Sequence, residues 1–197
     1  MKRAKLQKLF DEIDGDRAYR KGLKALGGRP LRVATMCSGT ESPLLALRML
    51  SDAAERSGAK LEVRHLFSCE IEPFKQSYIE TNFSPNLLFR DIRELGEAEA
   101  FTAWGALREV PVDADVLVAG TSCVDYSNLN RDKKSIDEGG ESGQTFFGMM
   151  KWIERARPLV VILENVVGAP WERIQRDLLV KWGYHSVYAR VDSKEFG

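Results

Sequence analysis

The sequence predicts an α/β fold with a mainly parallel sheet and helices on both faces. Three observations carry this. Short apolar segments of strand length recur along the chain. Between them lie stretches with apolar residues at spacings of three and four, the period of an amphipathic helix. Strand and helix alternating in this way build βαβ units and hence a parallel sheet. Finally, 197 residues at 44% hydrophobic and 29% charged composition suffice for one domain with a real core. That composition excludes a collagen, a coiled-coil rod and a mainly disordered chain.

The elements follow in order. Residues 2–13 place Leu6, Leu9, Phe10 and Ile13 on one face of a short helix. A second helix is expected over 17–26, stopping at Gly27-Gly28-Arg29-Pro30. Arg32–Met36 reads as a buried strand ending in Cys37-Ser38-Gly39-Thr40. Ser42-Pro43 opens a helix with Ser42 as N-cap, and Leu44, Leu47, Leu50 and Ala54 form its apolar face. The alternation continues with a strand over Leu61–Cys69, a helix over Pro73–Asn82, a short strand over Leu87–Phe89 and a helix over Glu94–Arg108. Asp115–Ala119 is a strand, followed by a long polar loop over residues 120–141. Gly143–Ala156 is a helix, Leu159–Leu163 a strand, Trp171–Trp182 a helix and Tyr184–Val191 a last strand. A polar loop as long as 120–141 is uncommon in a compact domain, and such loops are usually functional or disordered.

Charge divides the chain. Lys+Arg and Asp+Glu both number 29, so the formal net charge is zero. Residues 1–32 nevertheless carry ten basic and four acidic groups, a net +6, and the rest carry a net −6. The expected organisation is a basic helical segment over 1–30 and an α/β domain over 31–197. A neutral total argues against a generic polyanion binder, which carries a basic excess. The three cysteines, 37, 69 and 123, show neither a pairing pattern nor metal-ligand spacing, which favours a reducing intracellular compartment and predicts no metal. No apolar run approaches the roughly 18–20 residues of a membrane span. The charged N-terminus lacks the apolar stretch of a signal peptide.

In an open parallel sheet, ligands bind beyond the carboxyl ends of the strands. Those ends hold Cys37-Ser38-Gly39-Thr40-Glu41, then Cys69-Glu70-Ile71-Glu72, then Asp91, then Gly120-Thr121-Ser122-Cys123, then Glu164-Asn165. A carboxylate after the second strand, Glu70, can accept hydrogen bonds from both hydroxyls of a ribose. Asp91, one strand over, can accept from an exocyclic adenine amine. Gly39 lets a ligand approach the backbone closely. Cys123 lies in a polar loop rather than a core run, which favours a reactive thiol over a packing residue. Cys37 and Cys69 sit closer to the strands and read as packing residues.

These pieces, in this order, resemble the cytosine-C5 DNA methyltransferase family. The motifs are Met36-Cys37-Ser38-Gly39-Thr40-Glu41-Ser42, the acid in Ser68-Cys69-Glu70-Ile71-Glu72-Pro73, and Arg90-Asp91-Ile92. The nucleophile loop, usually G-x-P-C-Q-x-x-S, is Gly120-Thr121-Ser122-Cys123-Val124-Asp125-Tyr126-Ser127. Gly143-Gln144-Thr145-Phe146-Phe147 and Glu164-Asn165-Val166 complete the series. Some positions depart from the pattern. Cys37 stands where an aromatic is usual and Glu41 where a second glycine is usual; Ser122 and Val124 replace Pro and Gln. The resemblance covers roughly residues 31–197 and points to a divergent, fungal-like branch.

The resemblance implies a Rossmann-like S-adenosylmethionine-dependent methyltransferase fold, cut before its last strands and before the target-recognition region. Ser38, Gly39, Thr40, Glu70, Ile71, Asp91, Ile92 and Gly120 would hold S-adenosyl-L-methionine. Cys123 would add to C6 of an extruded cytosine, Glu164 would donate toward N3 from a raised pKa, and Asn165 would orient the Cys123 loop. Ser127, Asn128 and Arg131 would contact the nucleic acid, with Lys133 and Lys134 beside them. The implied substrate is DNA, with RNA as an alternative that the Cys and Glu do not separate. A homologue that only binds the cofactor or a protein partner is a further alternative. In a eukaryote the expected location is the nucleus. Without the recognition region and half of the cofactor cover, activity of this chain alone is expected to be weak or absent.

Overall fold

A computed structural model describes residues 17–56, 60–127, 130–132, 134–192 and 194. The helix expected over residues 2–13 lies outside them. Helix α1 (Arg17–Leu26) precedes strand β1 (Leu31–Met36), helix α2 (Ser42–Arg56) and strand β2 (Val63–Cys69). Helix α3 (Pro73–Phe83) leads to β3 (Leu88–Phe89). Strands β4 (Glu99–Phe101) and β5 (Leu107–Glu109) follow, then β6 (Val116–Gly120), helix α4 (Glu141–Ala156) and β7 (Val160–Glu164).

Five strands form one parallel sheet in the order β3-β2-β1-β6-β7. The expected α/β class with a parallel sheet is therefore borne out. The order reverses on either side of β1, so the first crossovers run outward one way and the later ones the other. That places a switch point at the carboxyl ends of β1 and β6, where a ligand crevice opens in such sheets.

The main core lies between the sheet and α4. Ala34, Met36, Phe67, Cys69, Leu117 and Ala119 from the strands meet Phe146, Met149, Trp152 and Ile153 from the helix, all buried. Phe67 meets Phe89 and Trp152 edge to face, with centroids 5.4 and 5.6 Å apart. The indole N–H of Trp152 donates to the Pro111 carbonyl, so a large buried ring keeps no polar atom unpaired. A smaller cluster joins Leu23 and Leu26 of α1 to Leu31, Leu50, Leu61 and Val63. The basic helix is thus seated on the body by two leucines, while Arg17–Leu26 otherwise reads as polar.

The structure corrects four local expectations. The segment 94–108 is not a helix: a 3-10 turn, Ile92–Glu94, is followed by the β4–β5 hairpin. Gly105 adopts φ 79° at its tip, a left-handed conformation available to glycine at little cost. Residues 184–191 run without strand pairing. The segment 171–182 is helical but irregular, an α turn (Trp171–Arg173), a π stretch (Ile174–Leu179) and a 3-10 turn (Val180–Trp182). Helix α2 takes its first hydrogen bonds at the Glu41 carbonyl, from the Leu44 and Leu45 N–H groups, one residue before the expected Ser42 cap.

Candidate active site

The turn after β1 is tight. Cys37, Gly39 and Glu41 all have left-handed φ, at 50°, 55° and 53°. This alternation turns the chain from the strand into α2 within five residues. It also directs the Gly39 N–H toward β2, where it donates to Glu70 Oε2 at 2.8 Å. The other carboxylate oxygen of Glu70 accepts from the Ile71 and Glu72 N–H groups at 3.0 and 3.1 Å. Glu70 is buried, and three backbone donors account for its burial without a cationic partner. Ser38 is buried and bonds across to β2, and Thr40 is exposed. Ile71, next to Glu70, is 57% exposed.

Asp91 follows β3. Its carboxylate caps the 3-10 turn by accepting from the Arg93 N–H at 2.9 Å and also pairs with the Arg93 guanidinium. Desolvation pushes the Asp91 carboxyl up, but the hydrogen bonds and charge of Arg93, with the charge of Arg90, together outweigh it and hold Asp91 below the usual carboxylate range. Ile92 is buried in the main core. The structure thus brings Gly39, Glu70 and Ile71 together on adjacent strand ends, while Asp91 is already engaged with Arg93 and Ile92 with the core.

The loop that carries Cys123 leaves β6 at Gly120. Register pairs Gly120 with Glu164, the last residue of β7. A Cβ built on Gly120 would lie 3.4 Å from Glu164 Oε2, in ordinary contact, so the Glu164 carboxylate stands over the start of the loop. Asn165 donates from Nδ2 to the Thr121 carbonyl at 3.0 Å, to Thr121 Oγ1 at 3.2 Å and to the Ser122 carbonyl at 3.4 Å. The end of β7 therefore holds the two residues that precede Cys123. Glu164 is exposed rather than enclosed. The apolar surroundings expected for it are absent because the outer side of β7 is open, with Val160 and Ile162 about half exposed.

Cys123 is free and partly exposed. Its carbonyl accepts from the Tyr126 and Ser127 N–H groups at 3.0 and 2.9 Å, which curls the loop into one helical turn. Two ties to α4, not anticipated from sequence, fix this turn. The Asp125 N–H donates to Ser142 Oγ at 2.9 Å, and the Ser142 N–H donates to Asp125 Oδ2 at 2.7 Å. Ser122 Oγ donates to Glu141 Oε1 at 2.7 Å. Both Asp125 and Ser142 are buried, and a side chain at Gly140 would collide with the Asp125 carboxylate. The available signal was the Gly139-Gly140-Glu141-Ser142 run, which opens a helix and admits a close neighbour. Arg131 and Lys134 are exposed; Asn128 and Lys133 lie outside the described residues.

The three thiols differ. Burial, reinforced by the charge of Glu70, pushes Cys37 up to about 12, and burial also raises Cys69. Neither is a thiolate at neutral pH.

The family model described as C-5 cytosine-specific DNA methylase matches residues 32–197. A DNA (cytosine-5-)-methyltransferase, DMT5, from Cryptococcus neoformans var. grubii is 55% identical over 175 residues, covering 88% of this chain and 7% of that protein. Its namesake from Verticillium dahliae is 36% identical over 221 residues, covering 86% of this chain and 9% of that protein. The type II methyltransferase M.Bsp6I of a Bacillus species is 30% identical over 124 residues, 60% of this chain and 35% of that protein. The chain spans less than a tenth of the length of the two fungal relatives. With a family model matching most of its length on a parallel α/β sheet, the chain belongs to the C-5 cytosine-specific DNA methylase family.

Proposed function

We propose that this chain is the cofactor-binding and nucleophile-bearing part of a DNA cytosine-C5 methyltransferase, acting through a covalent Cys123 adduct. The observation that carries the reading is the Asn165 clamp on Thr121 and Ser122. It couples a nucleophile loop on one strand to a carboxylate on the next, the two groups such a reaction needs on one cytosine. Among the described residues no helix is long and apolar enough to cross a membrane.

The turn after β1 suits a nucleoside cofactor. Gly39 has open space where a Cβ would stand, and the buried Glu70 carboxylate lies beside the exposed Ile71. Ser38, Gly39, Thr40, Glu70, Ile71, Asp91, the main chain at Ile92, and Gly120 would hold S-adenosylmethionine, the family's cofactor. Once bound, it supplies the electrophilic methyl group.

The chain's own residues divide the remaining work. Cys123 Sγ, as thiolate, bonds to C6 of a cytosine extruded from the duplex. Glu164 gives a proton toward N3, which takes up the electron pair pushed into the ring. C5 thereby becomes nucleophilic and receives the methyl. Loss of the C5 proton to water then expels the Cys123 thiolate, and return of the N3 proton to Glu164 restores the neutral aromatic ring. Asn165 keeps the loop in register while Cys123 changes its bonding. Arg131 and Lys134, exposed on the same loop, would meet phosphates. A chromosomal DNA substrate in a eukaryote implies a nuclear location.

The test uses oligonucleotides carrying 5-fluorocytosine. Fluorine cannot leave as the C5 proton does, so a methylated adduct stays attached to sulfur. Mixed with S-adenosylmethionine, the chain is expected to form a denaturant-stable adduct with DNA that maps to Cys123. Cys123→Ser is expected to abolish it and Glu164→Gln to slow it. An adduct that survives Cys123→Ser overturns the nucleophile assignment. An RNA oligonucleotide trapped in preference to DNA overturns the substrate assignment.

A further inference from the structure

Glu41 is a fully buried acid with no role in the chemistry above. It stands in the cofactor turn where the resembling family usually has glycine, and its backbone keeps the left-handed φ of 53° that glycine would favour. Its side chain turns inward, between the first two strands. Glu41 Oε1 accepts from Thr35 Oγ1 of β1 at 2.8 Å and from Ser68 Oγ of β2 at 2.5 Å. Ser38 Oγ, in the same turn, donates to Thr35 Oγ1 at 3.1 Å and lies 3.3 Å from both the Cys69 carbonyl and the Cys69 N–H. His65 Nε2 lies 3.3 Å from Thr35 Oγ1.

This convergence depends on the strand register. Between Val33 and Ala34 of β1 the pairing skips Leu66 of β2. Strict alternation would send His65 and Ser68 to opposite faces, and the skipped residue brings both to Thr35. Among the described residues, Glu41 Oε2 is one of two buried side-chain polar atoms without a hydrogen-bond partner. Burial raises the pKa of this carboxyl, and the hydroxyls of Ser68 and Thr35, which favour the carboxylate, offset that only in part.

We infer that Glu41 is a positioning residue for cofactor binding: its buried carboxyl ties β1 to β2 beneath the turn and thereby holds the Gly39 N–H against the Glu70 carboxylate. The path is short. Ser68 is two residues before Glu70, and Gly39 is two residues before Glu41, so one oxygen fixes both sides of the contact that faces the ligand. The backbone of Glu41 meanwhile starts α2. The inference rests on the cofactor assignment above for its functional consequence, but not for its geometry.

Glu41→Gly separates the two roles of this residue. It eases the left-handed backbone and removes the carboxyl. Glu41→Gln keeps an acceptor oxygen for Thr35 and Ser68 and cannot ionise. Two readouts are made on each variant: amide hydrogen exchange at Gly39 without ligand, and calorimetric titration with S-adenosylmethionine. Glu41→Gly is expected to raise Gly39 exchange about tenfold or more and to weaken cofactor binding by a similar factor, whereas Glu41→Gln stays within about threefold of the parent on both. Ser68→Ala, which spares the turn itself, is expected to move both readouts in the direction of Glu41→Gly. A Glu41→Gly chain that matches the parent in Gly39 exchange overturns the inference. So does a Glu41→Gln chain as impaired as Glu41→Gly. Should the parent bind no S-adenosylmethionine, the cofactor assignment fails, and Gly39 exchange still decides whether Glu41 holds the turn.

Discussion

Cys123 differs from the other thiols through its surroundings, which sequence position only partly announces. A polar loop marks it as accessible, and it is partly exposed at the start of a single helical turn. Cys37 and Cys69 are held protonated by burial. Iodoacetamide at pH 7.5 followed by peptide mapping is therefore expected to label Cys123 first, the partly exposed but protonated Cys37 more slowly, and Cys69 only on unfolding. Early labelling of Cys37 would count against this ordering. Asn165 sets the geometry of the same loop by three contacts to Thr121 and Ser122. Asn165→Ala is expected to slow adduct formation about ten- to hundredfold, the scale of a misplaced reacting group, with little change in melting temperature. Equal rates in the two proteins would remove Asn165 from the mechanism. The Glu164-Asn165 pair was legible because both residues follow an apolar run of strand length. The Asp125–Ser142 tie was not, because it joins residues across a loop whose path local sequence does not determine.

The elements divide along the same line between local and distant causes. Strands β1, β2, β6 and β7 were legible because each is an apolar run bounded by turn residues, and their register follows from burial. The segment 94–108 misled because Leu95, Glu97, Ala98, Glu99 and Ala100 are good helix formers by intrinsic preference. Tertiary contacts override that preference. The Ala103 N–H donates to the Leu88 carbonyl, the Arg90 N–H donates to the Phe101 carbonyl, and Phe89 bridges Thr102, so the hairpin covers the outer edge of β3. An edge left open would be a site for unwanted pairing. Gly105 distinguishes helix from hairpin by the sign of one substitution. In a helix interior, Gly105→Ala would stabilise by about 1 kcal/mol. At φ 79° it is expected to destabilise by about 1 kcal/mol, read from urea unfolding. Stabilisation would restore the helix. The last predicted strand, 184–191, failed for a related reason. Its Val and Tyr residues are of the types strands favour, but strand pairing needs a partner as well as a composition, and Val187, Tyr188 and Val191 remain exposed beside the open side of β7.

At the scale of the whole molecule, the sheet carries opposite electrostatic devices at its two ends, and they give its stability a defined pH dependence. At the end away from the site, Asp115 receives Arg29 at 2.6 Å and Arg32 at 3.1 Å and also accepts from the Arg32 N–H at 2.9 Å. These contacts, Arg29 first, hold its carboxyl well below the usual carboxylate range. A depressed carboxyl contributes stability above its unfolded value, near 3.9, and loses it as pH falls toward the folded value. His65 acts higher on the scale. Burial lowers it to about 4, against about 6.5 when unfolded. As pH falls below 6.5 the unfolded chain takes up a proton that the folded chain refuses, so stability drains between about pH 6.5 and 4, on the order of 3 kcal/mol for the full shift. Glu41 works against this trend, because its folded pKa is raised: its contribution is complete at low pH and is lost as pH rises through the folded value. Unfolding by urea from pH 7 to 3 should therefore show two segments. Asn at position 65 can still meet Thr35 but cannot titrate, so His65→Asn is expected to flatten the upper segment. Asp115→Asn is expected to lower stability at pH 7 and to approach the parent only as pH falls from about 4 toward the folded value, where the parent loses the same contribution. A His65→Asn chain that loses as much stability as the parent between pH 6.5 and 4 would show that the acid sensitivity of the fold lies elsewhere.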